Sequence, residues 1–302
     1  MIFTTITMNP CLDRREYLND LQIGKTNRPY KTTETVGGKG INVSRELVSM
    51  LDVFKARVQT VTFAGGATGN RLKALLEQEL SVREEVCGLT VIDSAYETRI
   101  CTKLITPQSV TEINEEGRLS EDECNALAEV VADIVASDTP QVVFLCGSFP
   151  QGVELNVENS LITLLEGCGI PVIVDTSGRA LVESLVASPS LIKPNENELC
   201  ELHGGGFESD EGLVDFCRSV YVDNHTEVLC TLGEKGALFV GEEGVFRTVS
   251  HKISGCDTTG AGDAFLAAFC YAKYADGKGA EASLEFANDY VREKLLKTVK
   301  TI

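Results

Sequence analysis

The chain of 302 residues has no tryptophan and only three histidines. His203, His225 and His251 share no ligand-like spacing, so a zinc hydrolase or a Ser-His-Asp hydrolase would lack its imidazoles. No run of about 18 apolar residues exists, which argues against a membrane span. Met1–Pro10 has no basic segment followed by an apolar one with a cleavage site, so a secretory leader is not expected and the chain reads as cytoplasmic. The eleven cysteines are odd in number and never spaced Cys-x-x-Cys, and Cys146, Cys230 and Cys270 sit inside apolar runs. Buried free thiols fit that pattern better than a disulfide framework or a zinc site. Cations are in short supply: 27 Lys and Arg against 45 Asp and Glu leave a net charge of −18. That balance excludes general binding to nucleic acid or anionic membranes, and an anionic substrate must find a local cationic patch. Residues 1–40, with six cations against four anions, are the place to look for it.

What is present reads as a large α/β chain. Hydrophobic content of 43% and charged content of 24% are those of a globular protein, and 302 residues suffice for one large domain or two smaller ones. Met1–Met8 reads as a strand broken by Asn9-Pro10; an amphipathic helix, Ile41–Leu51, a strand, Val58–Phe63, and a helix, Asn70–Leu80, follow. From Gly117 the chain alternates between helix and apolar strand. Helix Ser120–Ala136 opens on a capping box of Ser120 and Glu123, and Val142–Cys146, Pro171–Val174, Leu191-Ile192 and Val228–Leu232 read as strands. In a doubly wound parallel sheet, the residues that follow the strands collect at one edge, where ligands bind. Asn9, Gly65, Gly147, Asp175, Asn195, Thr231 and Asp263 are therefore expected at a single cleft. Residues 10–35 and 86–113 do not share the alternation, and Leu284–Ile302 reads as a polar helix.

The stretch Gly255–Cys270, GCDTTGAGDAFLAAFC, carries the strongest chemical signal. After a β-like run at Val245–Val249, Gly260, Ala261 and Gly262 open directly into a helix, leaving backbone N–H groups free to hold an anion. Asp263, in that first turn, can take a proton from an alcohol beside the cradled phosphate. The combination predicts phosphoryl transfer to a hydroxyl. Gly37-Gly38-Lys39-Gly40 supplies a second glycine-rich turn with a cation, but Ile41 follows it, so it is not a P-loop.

Gly260–Phe265 resembles the GAGDxF signature of the ribokinase-like (PfkB) carbohydrate kinases, and it lies near the C-terminus, where that family carries it. Asn9-Pro10 with Asp13, the Gly24…Asn27-Arg28 spacing and GGKGINVSR at Gly37–Arg45 resemble the family's phosphosugar branch, the fructose-1-phosphate and tagatose-6-phosphate kinases. Thr98–Lys103, Thr111–Asn114, Gly147–Pro150, Asp175–Gly178, Lys193-Pro194-Asn195 with Glu198, and Thr231–Ala237 are similar to further family signatures. Phe149, Thr231, the Cys101-Thr102 pair and Asp257–Thr259 depart from the pattern mildly.

The resemblance implies a three-layer α/β/α fold with a mostly parallel sheet, one domain over 1–302, and a small β lid built from about 10–35 and 86–113. It implies ATP and Mg²⁺ as cofactors and a phosphosugar as substrate, fructose 1-phosphate first, with pairing of two copies through the lid. Asp263 would be the base and Gly260, Ala261 and Gly262 the anion cradle. Asp13, Gly38, Lys39 and Asn42 would hold sugar hydroxyls, and Arg28, Arg99 and Lys103 the phosphate already present. Lys193, Thr231, Gly233, Gly236 and Asn288 would face the nucleotide, and Asn195 and Glu198 would organise the metal. Three other readings stay open. One is a kinase of tagatose 6-phosphate, of an unphosphorylated sugar or of a nucleoside. A dinucleotide oxidoreductase would need Gly-x-Gly-x-x-Gly after the first strand, where Met8-Asn9-Pro10 stands instead. A non-catalytic sugar sensor would be expected to lose Asp263 or the cradle, and neither is lost.

Overall fold

The computed structural model describes residues 1–50, 56–80, 85–250, 253, 256 and 258–299. Leu51, Gly255, Asp257 and the last three residues of the expected C-terminal helix lie outside the described residues.

Apolar, β-branched runs bounded by turns build the larger sheet. Its strands lie in the order β13-β12-β11-β10-β9-β8-β1-β4-β5. They are β1 (Ile2–Thr7), β4 (Arg57–Ala64), β5 (Cys87–Asp93), β8 (Val142–Cys146), β9 (Val172–Asp175), β10 (Leu191–Ile192), β11 (Glu227–Thr231), β12 (Ala237–Gly241) and β13 (Gly244–Thr248). Pairing from β5 through to β11 is parallel, and only β11–β12 and β12–β13 are antiparallel. Both faces are buried, as a parallel sheet requires. Alternate residues point to opposite faces, so Val143 and Leu145 join one apolar cluster while Val142 and Phe144 join another. The first cluster packs under α3 (Glu121–Asp138), α4 (Leu155–Gly167), α5 (Gly178–Ser184), α6 (Glu196–His203) and α7 (Asp210–Asn224). The opposite face is covered by α1 (Lys39–Met50), α2 (Gly66–Leu80), α8 (Ala261–Cys270) and α9 (Ala280–Thr298). The expected α/β/α sandwich is the observed architecture. Ser120 caps α3 through the expected box, its Oγ accepting from the Glu123 amide at 3.3 Å.

A second sheet, in the order β3-β2-β6-β7, combines β2 (Cys11–Tyr17), β3 (Lys31–Gly37), β6 (Arg99–Ile105) and β7 (Val110–Asn114). This corrects the boundary read from the sequence. The sequence pattern places the run from residue 86 in the lid, but Cys87–Asp93 pairs in parallel with β4 and forms the edge of the large sheet. Gly88 obscured it, since a glycine inside a strand pattern reads as a break. The second segment of the small sheet thus begins at Arg99. The strand Ala237–Gly241 likewise has no counterpart among the strands expected from the sequence.

All eleven cysteines are free, the majority of them buried. Among the described residues no helix is long and apolar enough to cross a membrane.

Candidate active site

Between the two sheets lies an open cavity of about 560 Å³, a volume suited to a small ligand. One wall is a single face of the small sheet. In the β2–β6 register Cys11 lies beside Arg99, Asp13 beside Cys101 and Arg15 beside Lys103, and all six line the cavity with Glu112 and Asn114 of β7. The period-2 alternation of a strand places them together. Asn9, Gly147, Ser148 and Ser177, at the ends of β1, β8 and β9, form the floor, and Gly38, Lys39, Asn42, Gly260 and Asp263 close the far side. The Asn9 Nδ2 donates to Ser148 Oγ at 3.0 Å, tying two strand ends together.

The helix start at Ala261 is held by a turn. Gly260 has φ 74°, a left-handed conformation that glycine adopts without penalty, and the Ala261 amide donates to the Thr258 carbonyl at 3.0 Å. Of the three cradle residues, Ala261 therefore already has its N–H engaged. The amides of Gly262 and Asp263, inside the first turn, have no intrahelical acceptor. Lys193 Nζ lies 3.8 Å from where a Cβ on Gly262 would stand, so a cation borders the cradle.

Asp263 is buried and accepts a hydrogen bond from Asn42 Nδ2 at 2.7 Å. Burial pushes its carboxyl above the usual range and the Asp175 carboxylate adds to this, while the Asn42 hydrogen bond, Lys193 and Lys39 oppose it. Asn42 is expected at the sugar hydroxyls; its donor end meets the Asp263 carboxylate. Lys39 is expected there too. It lines the cavity, but its ammonium pairs with Asp175 Oδ1 at 2.8 Å and stands 3.8 Å from Glu198 Oε1. The glycines around it serve packing: a Cβ on Gly40 would lie 2.3 Å from Thr7 Oγ1, so only glycine lets α1 rest on β1.

Among the other predicted phosphate cations, Lys103 Nζ lies 3.7 Å from Asp13 Oδ2 and 3.6 Å from Glu112 Oε1, inside the cavity. Arg99 is more committed. Its Nη2 donates to the Asn9 carbonyl at 2.9 Å, Nη1 to the Glu115 carbonyl at 3.2 Å and Nε to the Pro10 carbonyl at 3.4 Å. Two of its five N–H groups are left for a ligand. Arg28 is exposed on the segment between β2 and β3 and does not line the cavity. Asp13 Oδ1 is buried without a hydrogen-bond partner.

The residues expected at the nucleotide and metal lie on the adjoining part of the same sheet edge, outside this cavity. Lys193 is buried and reaches Asp175 Oδ2 at 3.3 Å. Thr231 bridges to Asn195, and Gly233 and Gly236 flank a short turn after β11. Asn288 donates to the Val249 carbonyl at 3.1 Å, joining α9 to the end of β13. Asn195 and Glu198 form a reciprocal capping box for α6: Asn195 Oδ1 accepts from the Glu198 amide at 2.9 Å, and Glu198 Oε2 accepts from the Asn195 amide at 2.8 Å. Glu198 Oε1, near Lys39, is the oxygen outside that box. Among the described residues no group of three or more His, Cys, Asp or Glu could hold a metal by itself. One outward carboxylate oxygen fits a hydrated Mg²⁺ held chiefly by substrate phosphates, the usual mode for that ion.

Three residues with no assigned role complete the site. Asp175 is fully buried between Lys39 and Lys193; its signal is an acid closing the apolar strand Val-Ile-Val. Arg45 and Lys294 line the cavity beyond Asp263, and Lys294 pairs with Glu46. Nothing in the local pattern around Lys294 marks it, because only the packing of α9 on α1 brings it there.

A parallel sheet with a carboxylate at a helix start, an adjacent amide cradle and a cation-lined cavity define a phosphotransferase acting on a small hydroxylated anion. Residues 6–294 match the family model described as pfkB family carbohydrate kinase, and the chain belongs to that family. It is 30% identical over 288 residues to a 1-phosphofructokinase of Borreliella burgdorferi, covering 95% of this chain and 89% of that one. It is 31% identical over 270 residues to a 1-phosphofructokinase of Bacillus subtilis, with 89% and 84% covered. The structure of phosphofructokinase-2 from Escherichia coli in complex with fructose-6-phosphate superposes with a TM-score of 0.85 at 26% identity, covering 99% of this chain and 95% of that one. The protein is a sugar-phosphate kinase of the pfkB family.

Proposed function

We propose that the protein transfers the γ-phosphoryl group of ATP to a free hydroxyl of a ketohexose phosphate, with fructose 1-phosphate giving fructose 1,6-bisphosphate. The observation that carries this reading is the small-sheet wall, where Arg15, Arg99 and Lys103 face the cavity that ends at Asp263. In a chain of net charge −18, that grouping gives an anionic sugar a place to bind. Asp13 Oδ1, buried and unpartnered, suits a sugar hydroxyl as donor.

In the proposed reaction Asp263 accepts the proton of the attacking hydroxyl as its oxygen bonds to the γ-phosphorus and the bond to the bridging oxygen of ADP breaks. The amides of Gly262 and Asp263, with Lys193 beside them, stabilise charge on the transferring group. When bound, Mg²⁺ would neutralise the nucleotide phosphates, with Glu198 as its protein anchor through water. Thr231, Gly233 and Gly236 would border the nucleotide, and the small sheet would act as a lid and as the pairing surface of a homodimer.

ADP release measured over fructose 1-phosphate, fructose 6-phosphate, tagatose 6-phosphate and free fructose tests the proposal. The highest kcat/KM is expected for fructose 1-phosphate. Turnover of free fructose matching that of every phosphosugar would overturn it.

A further inference from the structure

We infer that Arg45 is a positioning residue for Asp263, acting through the amide of Asn42; the inference rests on the reading of Asp263 as the base. An asparagine amide donates at one end and accepts at the other, so the end that faces a carboxylate decides between attraction and repulsion. Arg45 only donates. Its Nη1 reaches Asn42 Oδ1 at 2.7 Å and claims the acceptor end, which turns Asn42 Nδ2 onto Asp263 Oδ2, also at 2.7 Å.

The guanidinium is itself clamped. Its Nε donates to Glu79 Oε2 on α2 at 2.7 Å, and Nη2 donates to the Val36 carbonyl on β3 at 2.7 Å. A planar fork engaged in three directions has little freedom to rotate. Arg45 and Asn42 lie three residues apart on α1, on one helix face. The orientation of the amide is thus imposed from α2 and β3, before any substrate arrives.

The donated hydrogen bond favours the ionised form of Asp263, the form that can accept a proton. Burial and the Asp175 carboxylate work against ionisation, while Lys39 and Lys193 support it. Burial pushes the nearby Cys146 thiol well above its usual range, and the Asp175 and Asp263 carboxylates add to this. If Arg45 is lost, the Asn42 amide is free to turn its oxygen toward Asp263. That contact is tolerated only when the carboxyl holds its proton, so Asp263 would remain protonated to higher pH. Activity would then fall on the acid side and recover as pH rises.

The test is kcat/KM against pH for wild type, Arg45→Met, Arg45→Lys, Asn42→Ala and the Arg45→Met/Asn42→Ala double variant, using the sugar phosphate that ranks first in the ADP-release panel. Arg45→Met and Asn42→Ala should each move the acid limb up by about one pH unit, roughly a tenfold loss at the acid end. The double variant should be no worse than the poorer single one, because both cut the same chain of contacts. Arg45→Met should leave the sugar KM within about threefold, and Arg45→Lys, which retains a donor for Oδ1, should recover part of the shift. A loss independent of pH, or losses that add in the double variant, would mean that Arg45 only braces α1, and the inference would fall. Should Arg45→Met not fold, an unmoved acid limb in Asn42→Ala has the same force. Asp263→Asn separates the two claims: retained turnover overturns the base itself, whereas an inactive Asp263→Asn beside an unmoved acid limb overturns only the role of Arg45.

Discussion

Lys39 Nζ stands 2.8 Å from Asp175 Oδ1, against a carboxylate with no solvent exposure whose other oxygen meets Lys193 at 3.3 Å. Burial by itself would lower the Lys39 pKa, but the Asp175 and Glu198 carboxylates outweigh it and hold the ammonium above its usual range. One buried acid thus fixes two cations at the meeting point of β9, β10 and α1, next to the Gly260–Asp263 turn. Asp175→Asn would take from Lys193 its ion-pair partner and leave Lys39 only Glu198, a change that costs about 3 kcal/mol, at the low end of the range because Lys39 is partly solvated and keeps that second carboxylate. A melting temperature lower by about 5 °C is expected. A melt within a degree of wild type would contradict this account.

Asp263→Asn keeps the size of the side chain and removes the base. Turnover should fall at least about a hundredfold while nucleotide and sugar binding persist. Steady-state turnover and calorimetric titration with each substrate check the two halves separately, and turnover within a few-fold of wild type would refute the assignment.

Lys103 and Arg99 should separate in their effects. Lys103→Ala removes a cavity cation that pairs with the largely buried Asp13 and the exposed Glu112, and should raise KM for the phosphosugar roughly tenfold while sparing free fructose. Arg99→Ala also frees three main-chain carbonyls, on Asn9, Pro10 and Glu115. It should therefore lower the melting temperature as well as weaken phosphosugar binding. Equal losses on both sugars for Lys103→Ala would remove it from the phosphate site.

Glu158 on α4 is 1% exposed and neither carboxylate oxygen has a hydrogen-bond partner. Burial pushes its pKa up to about 8. In the unfolded chain the group ionises near the ordinary glutamate value, so between roughly pH 4.5 and 8 the folded state holds the extra proton and stability falls as pH rises. Glu158→Gln abolishes this loss. Melting temperatures of the two proteins should lie close together at pH 5 and diverge by pH 8, with the variant higher; a constant difference across that range would disprove it.

Much of this molecule was legible from its residues because the relevant signals are local. Apolar strands that end in polar turns predicted the parallel sheet; of the seven residues expected at a single cleft, Asn9, Gly147 and Asp263 line the cavity, while Gly65, Asp175, Asn195 and Thr231 do not. Glycines before a small-residue helix, with an acid in the first turn, predicted the cradle. The period of a strand put Arg99 and Lys103 on one face, which the cavity wall bears out in placement. Partners across the fold were another matter. Lys39 is drawn to Asp175 across 136 positions, Asn42 to Asp263 across 221 and Lys294 to Glu46 across 248. No local pattern encodes such separations: the contacts exist only once α1 is packed between the sheet, α8 and α9. The sequence by itself determined which chemical groups stand at the strand ends and helix starts. Tertiary packing decided which of them face a ligand and which neutralise one another, because a buried charge binds the nearest opposite charge that the fold delivers.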